Sequence, residues 1–330
     1  MDEKFVGILG LGSYVPETVV TNKDLEKMVD TTDEWIIART GIRERRIVYE
    51  GEATSDLATK AAQMALVDAG VSAKEIDLIV VATVTPDMPF PSVACLVQNN
   101  LRATNAAAFD ITAVCSGFVY GLVIGSQFIK SGTYRKVLVI GAETLSKITD
   151  WTDRNTSIVF GDGSGAVVLG ETPSGFGILG MNLGADGMGG DLLKVPAGGS
   201  RQPASEETVS QRLHFISMNG AEVFKFAVKI MGEAAIKALE NANISPADIA
   251  YLVPHQANIR IIQAAAKRLG LPMDKVIVNV DKYGNTSAAS IPIALAEAVQ
   301  SGKIKNGDVI VLVGFGGGLT WASSVIKWFK

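Results

Sequence analysis

Only four residues in this 330-residue chain are of the types that most readily act as nucleophile or base near neutral pH: Cys95, Cys115, His214 and His255. Cys115 follows the strand-like run 109–111 and directly precedes Ser116-Gly117, where an uncharged helix opens. The free N–H groups and positive dipole end of that helix would lower its thiol pKa and make it a nucleophile. A small buried core residue fits the same place. His255, in Pro254-His255-Gln256-Ala257, stands where a strand passes into a helix. Such turns line α/β active sites, and they equally suit a hydrogen-bonded structural histidine. Asn285, in Gly284-Asn285-Thr286-Ser287, reads as a helix N-cap or as a donor to an oxyanion. Cys95 is expected mid-helix as a small buried hydrophobe, and His214, in an alternating strand-like run, as a structural or surface residue.

Several elements must position these side chains. Apolar runs at 5–9, 77–82, 137–140, 166–169, 252–253, 276–280 and 309–313 read as strands, with amphipathic helices at 56–69, 221–238 and 260–269. The stretch 111–129 has no charge, yet it carries Thr112, Ser116, Ser126, Gln127 and three glycines. That composition predicts a helix buried all round inside a large protein, not a membrane span. The Gly/Pro/Ser-rich segment 184–205 is expected to connect two halves or to form a mobile loop over a site. Cys115 and Asn285 lie 170 residues apart, as do Ser131 and Ser301, each set running from polar turn through small-residue helix to strand. This order predicts a duplication. Gly117, Gly121 and Gly125 make one small stripe and Ser287, Ser290 and Ala294 another. The expectation is that the two helices cross on these stripes and bring Cys115 and Asn285 together.

Composition narrows the function classes. Hydrophobic residues make up 48% and charged residues 19%, so much of the chain must lie in a core or interface and disorder is excluded. Thirty basic residues against thirty-four acidic ones give a net charge of -4, which disfavours bulk nucleic-acid binding. A start without basic and apolar signal regions, together with so few cysteines, predicts a cytoplasmic protein. The run Gly314-Phe315-Gly316-Gly317-Gly318 lacks dinucleotide-binding spacing and predicts close backbone approach to a pocket instead. No P-loop, HExxH or paired CxxC motif occurs, so neither metal nor cofactor is expected.

Taken together, Asp110-Ile111-Thr112-Ala113-Val114-Cys115-Ser116-Gly117, Val253-Pro254-His255-Gln256-Ala257-Asn258 and Tyr283-Gly284-Asn285-Thr286-Ser287 closely resemble the β-ketoacyl-[acyl-carrier-protein] synthase III family. The likeness runs from Gly12-Ser13-Tyr14-Val15-Pro16 to the final glycine run. It implies an α/β, thiolase-like fold of five layers αβαβα in two duplicated halves, 1–172 with the cysteine and 173–330 with the histidine and asparagine. It also implies a homodimer that condenses a short-chain acyl-CoA with malonyl-acyl carrier protein by decarboxylating Claisen chemistry on Cys115, His255 and Asn285.

Carried over by position, Trp35 and Arg154 would sandwich the CoA adenine, with Thr31 and Arg39 near its phosphates. Gly220, Phe224 and Asn258 would line the pantetheine tunnel, and Phe90 would enter the partner's acyl pocket. The acyl carrier protein would dock on Lys225, Arg260, Lys267 and Arg268, with Gln256, Ala257, Asn258 and Ile259 on the same surface. For Arg260 and Lys267, seven apart on a helix without acids, charge and spacing independently give a basic face. A papain-like hydrolase shares the order Cys, His, Asn, but its local cysteine signature is absent. A non-catalytic carrier-binding module would not need all three residues. A related ketosynthase that primes polyketide or quinolone synthesis shares every motif.

Overall fold

The computed structural model describes residues 4–330. Its frame is two sheets. The five-stranded one runs in the order Val6–Tyr14, Gly163–Glu171, Val137–Glu143, Leu78–Ala82, Ala107–Ile111. Its first two pairings are antiparallel and its last two parallel. The four-stranded one runs Gly177–Ala185, Thr320–Lys327, Val309–Gly316, Tyr251–Pro254, pairing antiparallel, antiparallel, parallel. Val276 then makes a single parallel bridge to Leu252, in the place a fifth strand would hold. Order and sense therefore repeat, as the duplicated motifs require. The expected strand at 276–280 shrinks to that bridge because the helix Val280–Tyr283 begins inside it.

Helices complete five layers. Thr54–Ala69 and Val93–Leu101 cover the outer face of the first sheet, and Gly220–Ala242 with Ile259–Leu269 covers that of the second. Gly117–Lys130 and Ser290–Gln300 lie between the sheets. This central position explains the uncharged stretch: Phe118, Val119, Leu122 and Ile129 share one core with Ile291, Leu295 and strands of both sheets. Each such side chain contributes about 1.5–3 kcal/mol when taken out of water. The outer helix Thr54–Ala69 instead shows one small apolar face, Ala58, Ala61, Ala62 and Ala65, to the first sheet. A Cβ on Gly12 would stand 2.5 Å from the Ala61 carbonyl oxygen, so glycine there is what lets helix and strand close up.

Four expectations change. The glycine stripe does not face the second central helix: Cβ atoms on Gly121 and Gly125 would meet Val139 and Leu169 of the first sheet. A Cβ on Gly117 would meet Ala82 of the first sheet at 3.0 Å, with Ala288, in the turn before the second central helix, farther off at 3.8 Å. Segment 184–205 does not join the sheets, since the chain passes between them at 172–176. It carries Leu193–Lys194, which pairs with Ser217–Met218 beside the cavity described below. Cys95 is in the Val93–Leu101 helix but exposed, its Sγ lying at the edge of the first sheet, 3.9 Å from the Ala108 carbonyl. His214 sits in a turn, not a strand, bonded through Nε2 to Thr208 Oγ1 at 2.9 Å.

Candidate active site

The strand Ala107–Ile111 runs into a tight turn, Val114–Ser116, that opens the central helix and presents Cys115. Val114 has φ 48°, a left-handed conformation costly for a β-branched residue and of the kind concentrated at functional sites. The turn is tied from outside: Ser116 Oγ donates to the Ala113 carbonyl at 2.8 Å and Thr320 Oγ1 donates to the same oxygen at 3.0 Å. A Cβ on Gly316 would stand 2.6 Å from the Cys115 nitrogen, so the glycine run approaches the cysteine as its composition predicted. Burial pushes the Cys115 thiol up to about 12; the Ser287 hydroxyl pulls it down and the Glu143 carboxylate raises it further. Desolvation is the largest of these influences and favours the neutral thiol.

His255 ends the strand Tyr251–Pro254, its N–H donating to the Val313 carbonyl at 2.7 Å. Ser290 Oγ lies 2.6 Å from Nδ1, and Phe315 packs edge-on at 5.7 Å between ring centres. Ser290 Oγ accepts from Gln256 N at 3.4 Å; with its hydroxyl donating to Nδ1, the ring proton is assigned to Nε2. Nε2 is buried without a protein partner. Burial alone lowers the imidazolium pKa to about 3, so the ring is neutral.

Asn285 is pinned by its backbone, which donates to the Val159 carbonyl at 2.9 Å and accepts from Gly161 N at 3.0 Å. It is not the cap of Ser290–Gln300; Oδ1 accepts from Ser287 N at 2.8 Å, closing its own turn. The side-chain NH2 is thereby turned away from Ser287.

Cys115, His255 and Asn285 all line one cavity of about 460 Å³. Gly314 sits between the first two: a Cβ there would lie 3.2 Å from the Cys115 oxygen and 3.6 Å from His255 Cβ. The same cavity is lined by Trp35, Arg39, Gly220, Phe224, Asn258 and Arg260. A larger groove of about 680 Å³ beside Leu11, Val67 and Trp328 contains the Asp68–Lys330 ion pair but no nucleophile. Among the described residues no group of three or more His, Cys, Asp or Glu could hold a metal.

The other expected residues divide. Arg154 and Arg39 both stack directly on Trp35, at 5.1 and 5.4 Å from the ring centre, so Trp35 and Arg154 close on each other rather than flank an open slot. Thr31 Oγ1 is buried without a partner. Asn258 caps the Ile259–Leu269 helix by accepting from Arg260 N at 2.8 Å, and its NH2 donates to the Arg39 carbonyl at 2.9 Å. Arg260 lies over Phe224 at 5.1 Å.

Gln256 does not belong to a docking surface. It is buried, its NH2 donating to the Pro254 and Ile277 carbonyls and its oxygen accepting from Asn279 N and Val280 N. Ala257 is buried on the cavity wall, and Ile259 is partly buried against Gly41. Lys225, Lys267 and Arg268 are exposed; Lys225 stands 4.0 Å from Glu222, and the Arg268 stem covers Gly232. Phe90 is 84% exposed and outside this chain's cavity.

Sequence reasoning missed Ser290, Phe315, Ser287 and Glu143. Glu143 did give a signal, a lone acid closing the apolar strand Val137–Glu143.

The 3-oxoacyl-[acyl-carrier-protein] synthase III family model matches residues 109–187, and the model of that enzyme's C-terminal part matches 239–328. A β-ketoacyl-[acyl-carrier-protein] synthase III of Caldanaerobacter subterraneus subsp. tengcongensis is 65% identical over 324 residues, 98% of each chain. The chain belongs to the β-ketoacyl-[acyl-carrier-protein] synthase III family. The family's crystal structure from Aquifex aeolicus superposes with a TM-score of 0.91 at 49% identity, covering 98% of this chain and 100% of that one. A priming β-ketosynthase of a polyketide pathway gives 0.92 at 37% identity over 99% and 97% of the two chains. The five layers are thus the thiolase-like fold of this family.

Proposed function

We propose that this chain joins a short-chain acyl-CoA primer to malonyl-acyl carrier protein by decarboxylating Claisen condensation, releasing CoA and CO2 and starting type II fatty acid synthesis. The observation that carries the reading is that a thiol, a neutral imidazole and a carboxamide line one largely apolar cavity. Cys115 takes the acyl group, since sulfur is both a good nucleophile and a good leaving group. His255 Nε2–H and the Asn285 NH2 donate to the thioester oxygen as malonyl loses CO2 and its negative charge moves there. A neutral imidazole suits this work because it donates without competing for the acyl group. The chemistry calls on no cofactor beyond the two thioester substrates. The cavity mouth, with Arg39, Arg260 and the Trp35 and Phe224 rings, suits a phosphorylated pantetheine carrier. The lower identity to the polyketide-priming ketosynthase, 37% against 65%, favours the fatty acid reading.

The same reading takes halves 1–172 and 173–330 as the two domains and a cytoplasmic homodimer as the working form, with Phe90 reaching the partner's acyl pocket. No helix among the described residues is long and apolar enough to cross a membrane.

Incubation with a panel of acyl-CoAs followed by intact mass measurement tests the assignment. One acyl mass should appear on the protein and be lost in Cys115→Ala. His255→Ala and Asn285→Ala should keep that mass yet release CO2 from malonyl-acyl carrier protein about 10²–10³ times more slowly. An acyl adduct on Cys115→Ala, or normal CO2 release by both other variants, overturns it.

A further inference from the structure

The two donors assigned to the thioester oxygen, His255 Nε2–H and the Asn285 NH2, stand on separate segments of the chain. They serve one oxygen only while their spacing is held, and a misplacement of about 1 Å costs up to about a hundredfold in rate. The backbone of Asn285 is tied to Val159 and Gly161, which lie outside the segment that carries His255. Its distance from the imidazole has to be set by another contact.

Gln256, next to His255, makes that contact. Its side chain is buried, with Nε2 donating to the Pro254 carbonyl at 2.8 Å and to the Ile277 carbonyl at 3.0 Å. Oε1 accepts from Asn279 N at 2.9 Å and Val280 N at 3.1 Å. Two acceptors on one side and two donors on the other fix which way the amide points. Pro254 ends the strand that leads into His255, whereas Ile277, Asn279 and Val280 belong to the segment that leads to Asn285. From Val280 the link is a single turn: Gly284 N donates to the Val280 carbonyl at 3.0 Å, and Asn285 is the next residue. Glu297 holds the same segment from the other side, accepting from Asn279 Nδ2 at 2.8 Å and Tyr283 Oη at 2.6 Å. That grip refers the segment to the helix Ser290–Gln300; the grip of Gln256 refers it to the histidine.

The chemistry of the grip calls for a primary amide. A carboxylate has no donor for the two carbonyls, an aliphatic side chain leaves all four backbone groups unpaired, and asparagine is one methylene shorter. Resting on the condensing reading above, we propose that Gln256 is a positioning residue, setting the spacing of the His255 and Asn285 donors and so governing the decarboxylating half-reaction and not acylation. Gln256 does not line the cavity, so it acts through its neighbours. Cys115 rides on the turn Val114–Ser116, which none of the four bonds reaches.

The test measures the half-reactions separately in Gln256→Glu, which keeps the shape but sets an acceptor against two carbonyls, and in Gln256→Met, which keeps the length without a charge. CO2 release from malonyl-acyl carrier protein should fall about tenfold to a hundredfold in both variants. The loss should appear in kcat rather than KM, because the spaced donors meet charge that develops only in the transition state. The acyl mass on Cys115 should form at the unmodified rate. A double-mutant cycle separates positioning from a plain structural role. In an Asn285→Ala background no second donor is left to space, so Gln256→Met should cost CO2 release nothing further. A merely structural glutamine would add its loss in either background. An additive cycle, equal losses of both half-reactions in both variants, or unchanged CO2 release in Gln256→Met overturns the proposal. The condensing reading is judged on the acyl mass and CO2 release of the unmodified protein, and Gln256 on the ratios of the variants to it.

Discussion

Ser290 Oγ and His255 Nδ1 are 2.6 Å apart, a short contact between the first residue of a central helix and the residue following the strand Tyr251–Pro254. It holds the ring orientation, and with the Ser290 hydroxyl as donor it assigns the ring proton to Nε2. Ser290→Ala should free the tautomer and lower the rate of malonyl decarboxylation about tenfold to a hundredfold, less than loss of the donor itself. Acylation of Cys115 should change little. Measured CO2 release equal to that of the unmodified protein would show that the ring is held by packing against Phe315 instead.

Burial of Glu143 has a consequence for stability. Its folded pKa is raised from 4.5 to about 7, so its favourable contribution is complete below about pH 4.5 and is lost as pH rises through 7. Glu143→Gln removes that loss. Relative to the unmodified protein, the variant should gain stability between pH 5 and 8, by an amount on the order of 3 kcal/mol at most, and level off above. Asp162, raised to about 6 by burial, acts in the same direction in both proteins and cancels in the comparison. Urea midpoints at a series of pH values measure the difference; a difference independent of pH would mean that Glu143 titrates in the folded protein as it does in the unfolded chain.

What was legible in the sequence followed scarcity and repetition. Cys115 and His255 stood out because their types are few, and Asn285 because a fixed offset paired it with Cys115. Glu143 was not assembled because its partners come from positions 83–85 and 287, a convergence that only the packed sheets create. The exposure of Cys95 was missed for a related reason: nothing local shows that its side chain meets the open edge strand, at the Ala108 carbonyl, rather than the middle of the sheet. Close approach was legible as glycine, but its partner was not: Gly121 and Gly125 fit against strands. The second-half turn comes nearest at Gly141, where a Cβ would collide with the Ala288 carbonyl.

The basic face of the Ile259–Leu269 helix is not uniform. Arg260 lies over Phe224 on the cavity lining, whereas Lys267 is exposed and outside the cavity. Lys267→Glu alone should therefore raise KM for malonyl-acyl carrier protein about twofold to fivefold, an effect shrinking at high salt. The acyl-CoA half-reaction should be unaffected. Arg260→Glu should impair both half-reactions. Equal losses for both substrates in Lys267→Glu would exclude a carrier-protein dock on this face.

Phe90 exposes 84% of its surface, and Met88 beside it is 43% exposed. Leaving so large an aromatic in water forgoes about 1.5–3 kcal/mol of burial, which a partner subunit would recover. If the ring closes the partner's acyl pocket, Phe90→Thr should extend the usable acyl-CoA chain length. Because pockets discriminate by only about 1–3 kcal/mol per methylene, the preference should broaden gradually over neighbouring chain lengths. If the working form is a homodimer, the same variant should weaken self-association only modestly, since one side chain is a small part of any stable interface. Acyl-adduct masses across a chain-length series, read beside sedimentation of the same samples, separate the two effects. An unchanged chain-length profile in a protein that still dimerises would assign Phe90 to the interface and not to the pocket.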